Sequence, residues 1–230
     1  MKPVVSIVAA LVPEYGIGYN GTLPWKLRKE MQYFKKITTT TLDPSKKNAV
    51  IMGRKTWESI PPKFRPLPER LNVVISSKYP DTWNLLENTG STTSCSSAAD
   101  TVIKYNNLQQ SIANLQKMND VERIYIIGGA QVYNATFDLA THLLITEIQM
   151  ADKPNEHGDN ESLAINQNIP PPMDTFLDAI SIQRKFVKKD TQTWNSFTLN
   201  TFNTQDTHTE GNYKFQFTLY EPKLKRSLES

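Results

Sequence analysis

The chain has 230 residues, of which 38% are apolar, and this is enough to bury the core of one α/β domain. Its 26 basic and 23 acidic residues leave a formal charge of +3, a balance that does not by itself indicate a nucleic-acid partner. The one cysteine, Cys95, excludes an intramolecular disulfide and a cysteine-ligated metal, and the apolar run at 4–12 is too short to span a bilayer.

Short apolar segments rich in Val and Ile predict buried strands, and helical patterns separate them. The strands are predicted at residues 4–12, 49–52, 72–75, 124–127 and 143–146. The helices are predicted at residues 27–37, near Lys55, at 108–118 and at 130–137. Continuously apolar strands that alternate with helices are typical of a parallel, doubly wound α/β sheet.

The last part of the chain changes to an alternating apolar and polar pattern, which predicts antiparallel edge strands. These strands are predicted at 180–188, 194–201 and 214–220. The expected fold class is α/β, with a doubly wound, mostly parallel central sheet and antiparallel C-terminal edge strands. Polar stretches near 88–116 and 151–173 are interpreted as loop insertions in a single domain, 1–230.

The segment 16–21 reads Gly-Ile-Gly-Tyr-Asn-Gly and matches the spelling of the dinucleotide-binding fingerprint. That fingerprint requires a helix to begin within the motif. Pro24 follows three residues after the motif, and proline is not tolerated in the interior of a helix, so a helix that began in the motif could not continue. We therefore interpret the segment as a glycine-hinged loop, packed down by Leu23, Pro24 and Trp25, that can close over a ligand.

An acidic residue lies on the apolar stripe of the first predicted helix. Leu27, Met31 and Phe34 recur at helical spacing, and Glu30 lies three residues after Leu27 and four before Phe34. A buried carboxylate is costly unless it has a partner. Two interpretations stay open: an edge residue that reaches water or a local Lys, and a functional acid that binds the paired N–H and amino groups of a flat ring.

Two junctions join a strand to a helix through glycine. Gly128 and Gly129 form one, and Gly53 forms the other, followed by Arg54 and Lys55. Glycines let the backbone approach a ligand, and a helix N-terminus suits phosphate. A tight turn that binds nothing is the alternative. Two such junctions in one sheet suit a dinucleotide, and the two cations favour NADPH over NADH.

Taken together, these motifs resemble dihydrofolate reductase. The resemblance rests on the loop at 16–25, the acidic helix at 27–34, the stretch at 51–61, the segment at 64–70, the glycine pair, and Leu-Ile-Thr-Glu at 144–147. It covers residues 4–222, with poor alignment at 88–116 and 151–173. Two features are most similar to fungal members of the family: the long insertions, and the segment 52–61, which reads Met-Gly-Arg-Lys-Thr-Trp-Glu-Ser-Ile-Pro.

The resemblance implies a pterin pocket. Glu30 would hold the ring N–H and the 2-amino group, Trp25 and Thr146 would support it, and Tyr133 would lie near the nicotinamide. Arg70 would pair with the α-carboxylate of the glutamate tail, a bidentate task that suits arginine. The implied substrate-binding residues are Ile7, Val8, Glu30, Phe34, Ile60, Leu67, Arg70 and Ile127.

The resemblance also implies NADPH as the cofactor, and a cis peptide between Gly128 and Gly129. The implied cofactor-binding residues are Ala9, Ile17, Gly53, Arg54, Lys55, Thr56, Ser76, Ser77, Lys78, Gly128, Gly129, Ala130, Gln131 and Val132. Many eukaryotic members place an Arg directly after the serine that Ser76 matches. Here Ser77 stands there and Lys78 follows, so we expect Lys78 to replace that Arg.

The implied activity is the reduction of 7,8-dihydrofolate by hydride transfer to C6 and protonation at N5. The expected partners are the folate substrate and antifolate inhibitors, with no metal, nucleic acid or membrane, in a cytoplasmic monomer. Two rival interpretations are a riboflavin-pathway reductase of the same fold, which does not need Glu30 and Arg70 together, and a non-catalytic RNA-binding module, which needs aromatic residues in a basic groove.

Overall fold

A mixed β-sheet runs through the described residues, 1–80, 102–151, 170–202 and 207–223, of a computed structural model. The strands are β1 (Val4–Leu11), β2 (Gly16–Gly18), β3 (Lys47–Gly53), β4 (Arg70–Ile75), β5 (Val102–Tyr105), β6 (Val121–Ile126), β7 (His142–Met150), β8 (Thr175–Phe176), β9 (Phe186–Lys188), β10 (His208–Glu210) and β11 (Tyr213–Pro222). The helices are α1 (Arg28–Thr39), α2 (Arg54–Ser59), α3 (Leu108–Lys117), α4 (Ala130–Thr136), α5 (Ala179–Lys185) and α6 (Thr191–Phe197), with a short 3-10 helix at Pro62–Phe64.

The strand order is β10-β11-β7-β1-β6-β3-β4-β5. Three short strands lie outside this order: β2 pairs with β1 and with β8, and β9 pairs with β11. The strands from β7 to β5 along this path run parallel. β11 is antiparallel to β7, and β10 is antiparallel to β11. The predicted fold class, a mostly parallel α/β sheet with antiparallel C-terminal edge strands, is therefore confirmed.

Helices cover both faces of the sheet, and each face has its own apolar core. Along β1, Val5 and Ile7 belong to the core beneath α1 and α6, whereas Val4 and Val8 belong to the core beneath α3, α4 and α5. This alternation follows from the strand, in which successive side chains point to opposite faces. Burial of both faces explains why the strands are continuously apolar.

Two of the three predicted C-terminal strands are wrong. Residues 180–188 begin as helix α5, and only their last three residues form β9. Residues 194–201 begin inside helix α6 and continue as turn. The third prediction, at 214–220, is confirmed by β11, which pairs along its length with β7.

Aspartate caps explain both errors. Asp178 accepts a hydrogen bond from the backbone N–H of Ser181 at 2.9 Å, and Asp190 accepts one from the N–H of Thr193 at 2.8 Å. A capping aspartate satisfies an N–H group that the first helical turn leaves without a partner. These caps were readable in the sequence, and they outweigh the alternation that predicted strands.

Part of the range interpreted as a loop insertion forms regular structure. Within 88–116, residues 102–105 form the outermost parallel strand β5, which the sequence analysis missed, and most of α3 follows. The interpretation of 102–105 as loop is wrong, whereas α3 confirms the helix predicted at 108–118. Residues 81–101 and 152–169, which hold most of the rest of the two predicted insertions, lie outside the described residues.

The glycine segment after β1 opens no helix. Its strand β2 pairs with β8, the N–H of Asp174 donates to the carbonyl of Gly18 at 3.1 Å, and the N–H of Asn20 donates to the Asp174 carboxylate at 2.8 Å. The next helix begins only at Arg28. The rejection of the dinucleotide fingerprint is confirmed. Among the described residues, no helix is both long and apolar enough to cross a membrane.

Candidate active site

The two glycine junctions of the predicted cofactor site lie where the parallel strands end, whereas Arg70 is the first residue of β4 and lies at the opposite edge of the sheet. The N–H of Gly53, at the end of β3, donates to the carbonyl of Gly128 at 2.7 Å, and the N–H of Ile127 donates to Ile51 at 2.9 Å. These bonds extend the pairing of β3 with β6 past the end of β6. In open α/β sheets, ligands bind at this carboxyl edge of the strands.

Glu30 is buried near the start of α1, with 7% of its surface exposed. Burial, and then the negative charge of Glu210, raise its pKa from 4.5 to about 7. The carboxyl is therefore divided between its neutral and ionised forms near neutral pH. It can accept two hydrogen bonds when ionised and can donate one when protonated.

The predicted apolar stripe of α1 is only partly correct. Phe34 is half-buried, but Met31 is 55% exposed. The buried stripe instead runs through Glu30, Tyr33 and Ile37. Tyr33 sets this rotation of the helix, because its ring stacks on Phe217 with the two centroids 3.9 Å apart.

A cavity of about 390 Å³ opens beside Glu30. Leu23, Trp25, Met31 and Gln32 are among the side chains that line it. Neither Met31 nor Gln32 is among the residues predicted for the site, and the spacing predicted Met31 on the buried stripe of α1.

Trp25 and Thr146 carry polar atoms without protein partners. Both side chains are buried, and within the described residues neither the Trp25 Nε1 nor the Thr146 Oγ1 has a hydrogen-bond partner. Thr146 lies on β7 directly opposite Ala9 of β1. Buried polar groups are nearly always hydrogen-bonded in folded proteins, so these two atoms suit a polar ligand or its bound water.

Tyr133 and Ile7 join the two faces of the sheet at the site. The Tyr133 hydroxyl donates to the Ile7 carbonyl at 2.8 Å. Burial, and then the negative charge of Glu30, raise the pKa of Tyr133 well above its usual value. Val8 differs from the other predicted pocket residues, because its side chain belongs to the core on the opposite face of the sheet, the core that contains Tyr133 of α4. The predicted contact of Val8 with substrate is thereby limited to its backbone.

Apolar side chains that we call the apolar wall adjoin Glu30 and Arg70 through Phe34, which lies one turn after Glu30 on α1 and whose ring centroid is 5.9 Å from the Arg70 guanidinium carbon. Phe34, Ile60, Leu67 and Ile127 are partly buried against the core that also contains Ile7. Asn72 fixes Leu67, because its side chain accepts from the Leu67 N–H and donates to the Leu67 carbonyl, both at 2.9 Å. Leu67, one member of the wall, is therefore held in place by a pair of hydrogen bonds.

Arg70 is buried, with 6% of its surface exposed, and none of the described carboxylates lies within ion-pair distance of it. Its guanidinium donates to the hydroxyl of Thr38 at 2.8 Å and to the carbonyl of Pro68 at 3.0 Å. Burial lowers its pKa to about 10, partly offset by Glu69, and it stays charged at neutral pH. A buried cation of this kind is suited to a ligand carboxylate.

The two glycine junctions pack against each other. A Cβ on Gly129 would lie 3.3 Å from the Thr56 Oγ1, and one on Gly53 would lie 3.4 Å from a methyl carbon of Val132. Gly128 has a φ of +115°, and the peptide between Gly128 and Gly129 is cis, as the resemblance implied. These glycines leave the backbone of both junctions open to a close ligand.

Arg54, Ser76, Ser77 and Lys78, four of the implied cofactor-binding residues, lie at the ends of the neighbouring strands β3 and β4. Arg54 is the first residue of α2. Its positive charge acts to lower the pKa of Tyr79, against the larger effect of burial, and Tyr79 directly follows Ser76, Ser77 and Lys78 in the chain. The Arg54 guanidinium donates to both oxygens of Glu58, at 2.6 and 2.8 Å. A phosphate at this point would therefore share Arg54 with Glu58.

The remaining predicted cofactor residues occupy the same edge. Lys55 and Gln131 are exposed, Ala130 begins α4, and Ala9 is half-buried on β1. Within the described ranges, no group of three His, Cys, Asp or Glu side chains is placed to hold a metal ion.

Known proteins share this sequence and fold. The dihydrofolate reductase family model matches residues 4–168. A dihydrofolate reductase of Saccharomyces cerevisiae is 41% identical over 96% of this chain and 97% of its own length, and one of Candida albicans is 42% identical over 96% and 99%. A solved structure of Schistosoma mansoni dihydrofolate reductase, 28% identical, covers 96% of this chain and 98% of its own with a TM-score of 0.59. The chain therefore belongs to the dihydrofolate reductase family and is of the fungal type.

Proposed function

We propose that this protein catalyses the NADPH-dependent reduction of 7,8-dihydrofolate to 5,6,7,8-tetrahydrofolate. One observation carries the proposal: a buried carboxyl, Glu30, and a buried guanidinium, Arg70, which has no carboxylate partner among the described residues, both adjoin one apolar wall through Phe34. A pterin with a glutamate tail carries the complementary groups, a ring edge with N–H and amino groups and a carboxylate, joined by an apolar ring.

Glu30 binds and orients the pterin. Its ionised carboxylate accepts parallel hydrogen bonds from the ring N–H and the 2-amino group, as it would from a guanidinium. The Trp25 Nε1 and Thr146 Oγ1, which have no hydrogen-bond partner in the described part of the chain, support the same ring through hydrogen bonds or a bound water. The raised pKa makes a neutral population available, and that population favours protonation at N5 by water without contact between Glu30 and N5.

Phe34, Ile60 and Leu67 enclose the benzoyl group, and Arg70 pairs with the α-carboxylate of the tail. The apolar wall removes the benzoyl ring from water, a gain of about 25 cal/mol for each Å² buried. Arg70 is already desolvated and held by Thr38 and Pro68, so little of its side-chain entropy is lost when the carboxylate arrives.

NADPH, when bound, supplies the hydride that C6 receives. The residues suited to hold it are the ones at the packed glycine junctions, where a Cβ would intrude on the space of Thr56 or Val132. Arg54, Ser76 and Lys78 would hold the 2′-phosphate. Tyr133 would close the floor of the nicotinamide site through its bond to Ile7.

The remaining features of the protein are part of the proposal. Each of the four described ranges contributes strands to one β-sheet, which supports a single domain. We propose that the protein acts as a cytoplasmic monomer, that 2,4-diamino antifolates bind at Glu30, and that it needs no metal or nucleic acid.

The proposal is tested by mixing the purified protein with NADPH and dihydrofolate and following the loss of reduced-nicotinamide absorbance. Rapid oxidation that a 2,4-diaminopyrimidine blocks is expected. No oxidation with dihydrofolate, while NADPH still binds, would contradict the substrate and would favour a riboflavin-pathway substrate. RNA binding with a steep salt dependence and no turnover would favour the binding-module interpretation.

A further inference from the structure

The first turn of α1 has no cap from its neighbouring sequence. Leu27, the residue before the helix, makes no side-chain cap bond, and the backbone N–H groups of the first turn have no acceptor within the helix. This turn carries Glu30, so its placement decides where the functional carboxyl stands.

Glu210, on β10, supplies the missing acceptor from the far end of the chain. One of its carboxylate oxygens accepts from the N–H of Arg28 at 2.6 Å, and the other accepts from the N–H of Lys29 at 2.9 Å. A carboxylate at a helix N-terminus also interacts favourably with the helix dipole. The β10–β11 hairpin thereby holds the helix by two charge-assisted hydrogen bonds.

We propose that Glu210 is a positioning residue for Glu30, which fixes the first turn of α1 and therefore the place of the Glu30 carboxyl in the pterin pocket. Glu30 is the residue directly after Arg28 and Lys29, whose N–H groups Glu210 binds. The inference rests on the function proposed above, and it adds a residue that makes no contact with the proposed substrate.

Titratable groups of three elements face Glu30. Glu210, on β10, raises the Glu30 pKa by its charge, after the larger effect of burial. The charge of Glu30 in turn contributes to the raised pKa values of Tyr33, on α1, and Tyr133, on α4. Of these groups, Glu210 is the carboxylate whose charge opposes the ionisation of Glu30.

The substitution Glu210→Gln removes the negative charge of the side chain and keeps its size. The amide keeps one oxygen for one of the two N–H groups, but it loses the second acceptor and the negative charge. The Glu30 pKa should then fall toward its ordinary value of 4.5, and the neutral population near pH 7 should shrink.

Glu122→Gln is the matched control. The Glu122 carboxylate also accepts from backbone N–H groups, those of Leu42 at 2.8 Å and Asp43 at 2.9 Å. It lies near the start of β6, whereas the site lies beyond the end of that strand. The control therefore removes the same charge and the same kind of bond away from the pterin pocket.

The experiment measures kcat/KM for dihydrofolate from pH 5 to pH 9. The wild-type value should fall as pH rises through about 7. In Glu210→Gln, this fall should move to lower pH by roughly half a unit. In Glu122→Gln it should stay in place, although both variants should lose roughly 2–4 °C of Tm. Glu210→Asp, which keeps the charge, should stay near the wild-type profile.

A second readout does not depend on turnover. The titration of ¹³C-labelled Glu30, identified by the loss of its NMR signal in Glu30→Gln, should show the same downward shift in Glu210→Gln. An active wild type whose pH profile and Glu30 titration are unchanged by Glu210→Gln would overturn the positioning role. A wild type that titrates as described but does not reduce dihydrofolate would instead contradict the proposed function.

Discussion

The hydroxyl of Tyr133 donates a hydrogen bond to the carbonyl oxygen of Ile7 across 2.8 Å, and this bond ties α4 to the centre of β1 at the candidate site. The two residues are 126 positions apart in the chain. Because β1 is a central strand and Tyr133 is buried, the bond holds a site carbonyl in place from the face of the sheet opposite α1.

Tyr133→Phe should leave the Ile7 carbonyl buried without its partner. The free energy of unfolding should fall by about 1–3 kcal/mol, the cost of an unsatisfied buried polar group. Urea unfolding measures this. Tyr213→Phe is the control, because it removes a weaker 3.4 Å bond to Pro24 from a half-buried side chain. Equal losses in the two variants would contradict a special role for the Tyr133 bond.

Arg70→Leu should raise the KM for dihydrofolate by roughly 10- to 100-fold with little change in kcat, because the ion pair with the tail is made in substrate and transition state alike. Steady-state kinetics measure both constants. A pterin substrate without the glutamate tail serves as the control and should give the same KM with both proteins. An unchanged KM for dihydrofolate would show that the tail binds elsewhere.

Gly129→Ala should weaken NADPH binding, since the added methyl group would crowd the Thr56 hydroxyl at 3.3 Å and narrow the backbone's approach to the cofactor. The Kd, measured by fluorescence titration, should rise at least roughly tenfold, or about 1.4 kcal/mol. Gly211→Ala is the control, because this hairpin glycine has a φ of +58° and lies away from the junctions. It should lower stability and leave the Kd unchanged, and a wild-type Kd in Gly129→Ala would contradict the assignment.

Stability should depend on pH through Glu30. The folded-state pKa of about 7 lies above the ordinary value of 4.5, so the folded protein holds the proton more tightly than the unfolded chain does. The stabilisation is fully present below pH 4.5 and is lost as pH rises to about 7, at roughly 1.4 kcal/mol for each pH unit in that window. Denaturant unfolding of wild type and Glu30→Gln should diverge there, and parallel curves would contradict the raised pKa.

The sequence was sufficient for the parallel strands because each one is buried on both faces and therefore continuously apolar. The spacing to Leu27 and Phe34 placed Glu30 on the apolar side of α1 but left an edge position in contact with water open, and the structure shows that Glu30 is buried. The sequence pattern predicted strands in place of α5 and α6, because the alternation of apolar and polar side chains favoured strands. The N-cap residues Asp178 and Asp190 were the local signal for the two helices.

Other features depend on contacts between distant parts of the chain. The exposure of Met31 follows from the stacking of Tyr33 on Phe217, and the hold on α1 comes from Glu210, 182 positions after Arg28. No local pattern encodes either contact. The sequence therefore pointed to Glu30 as a candidate site acid but not to Glu210, the residue that we propose positions it.

The most direct test of the account is the turnover of Glu30→Ala with dihydrofolate, measured beside its affinity for NADPH. The account predicts that kcat/KM collapses by roughly a thousandfold or more, within the range of a positioned acid group together with lost binding, while the Kd for NADPH stays near the wild-type value. Near-normal turnover in this variant, with NADPH bound as in the wild type, would contradict the role of Glu30 and with it the proposed site.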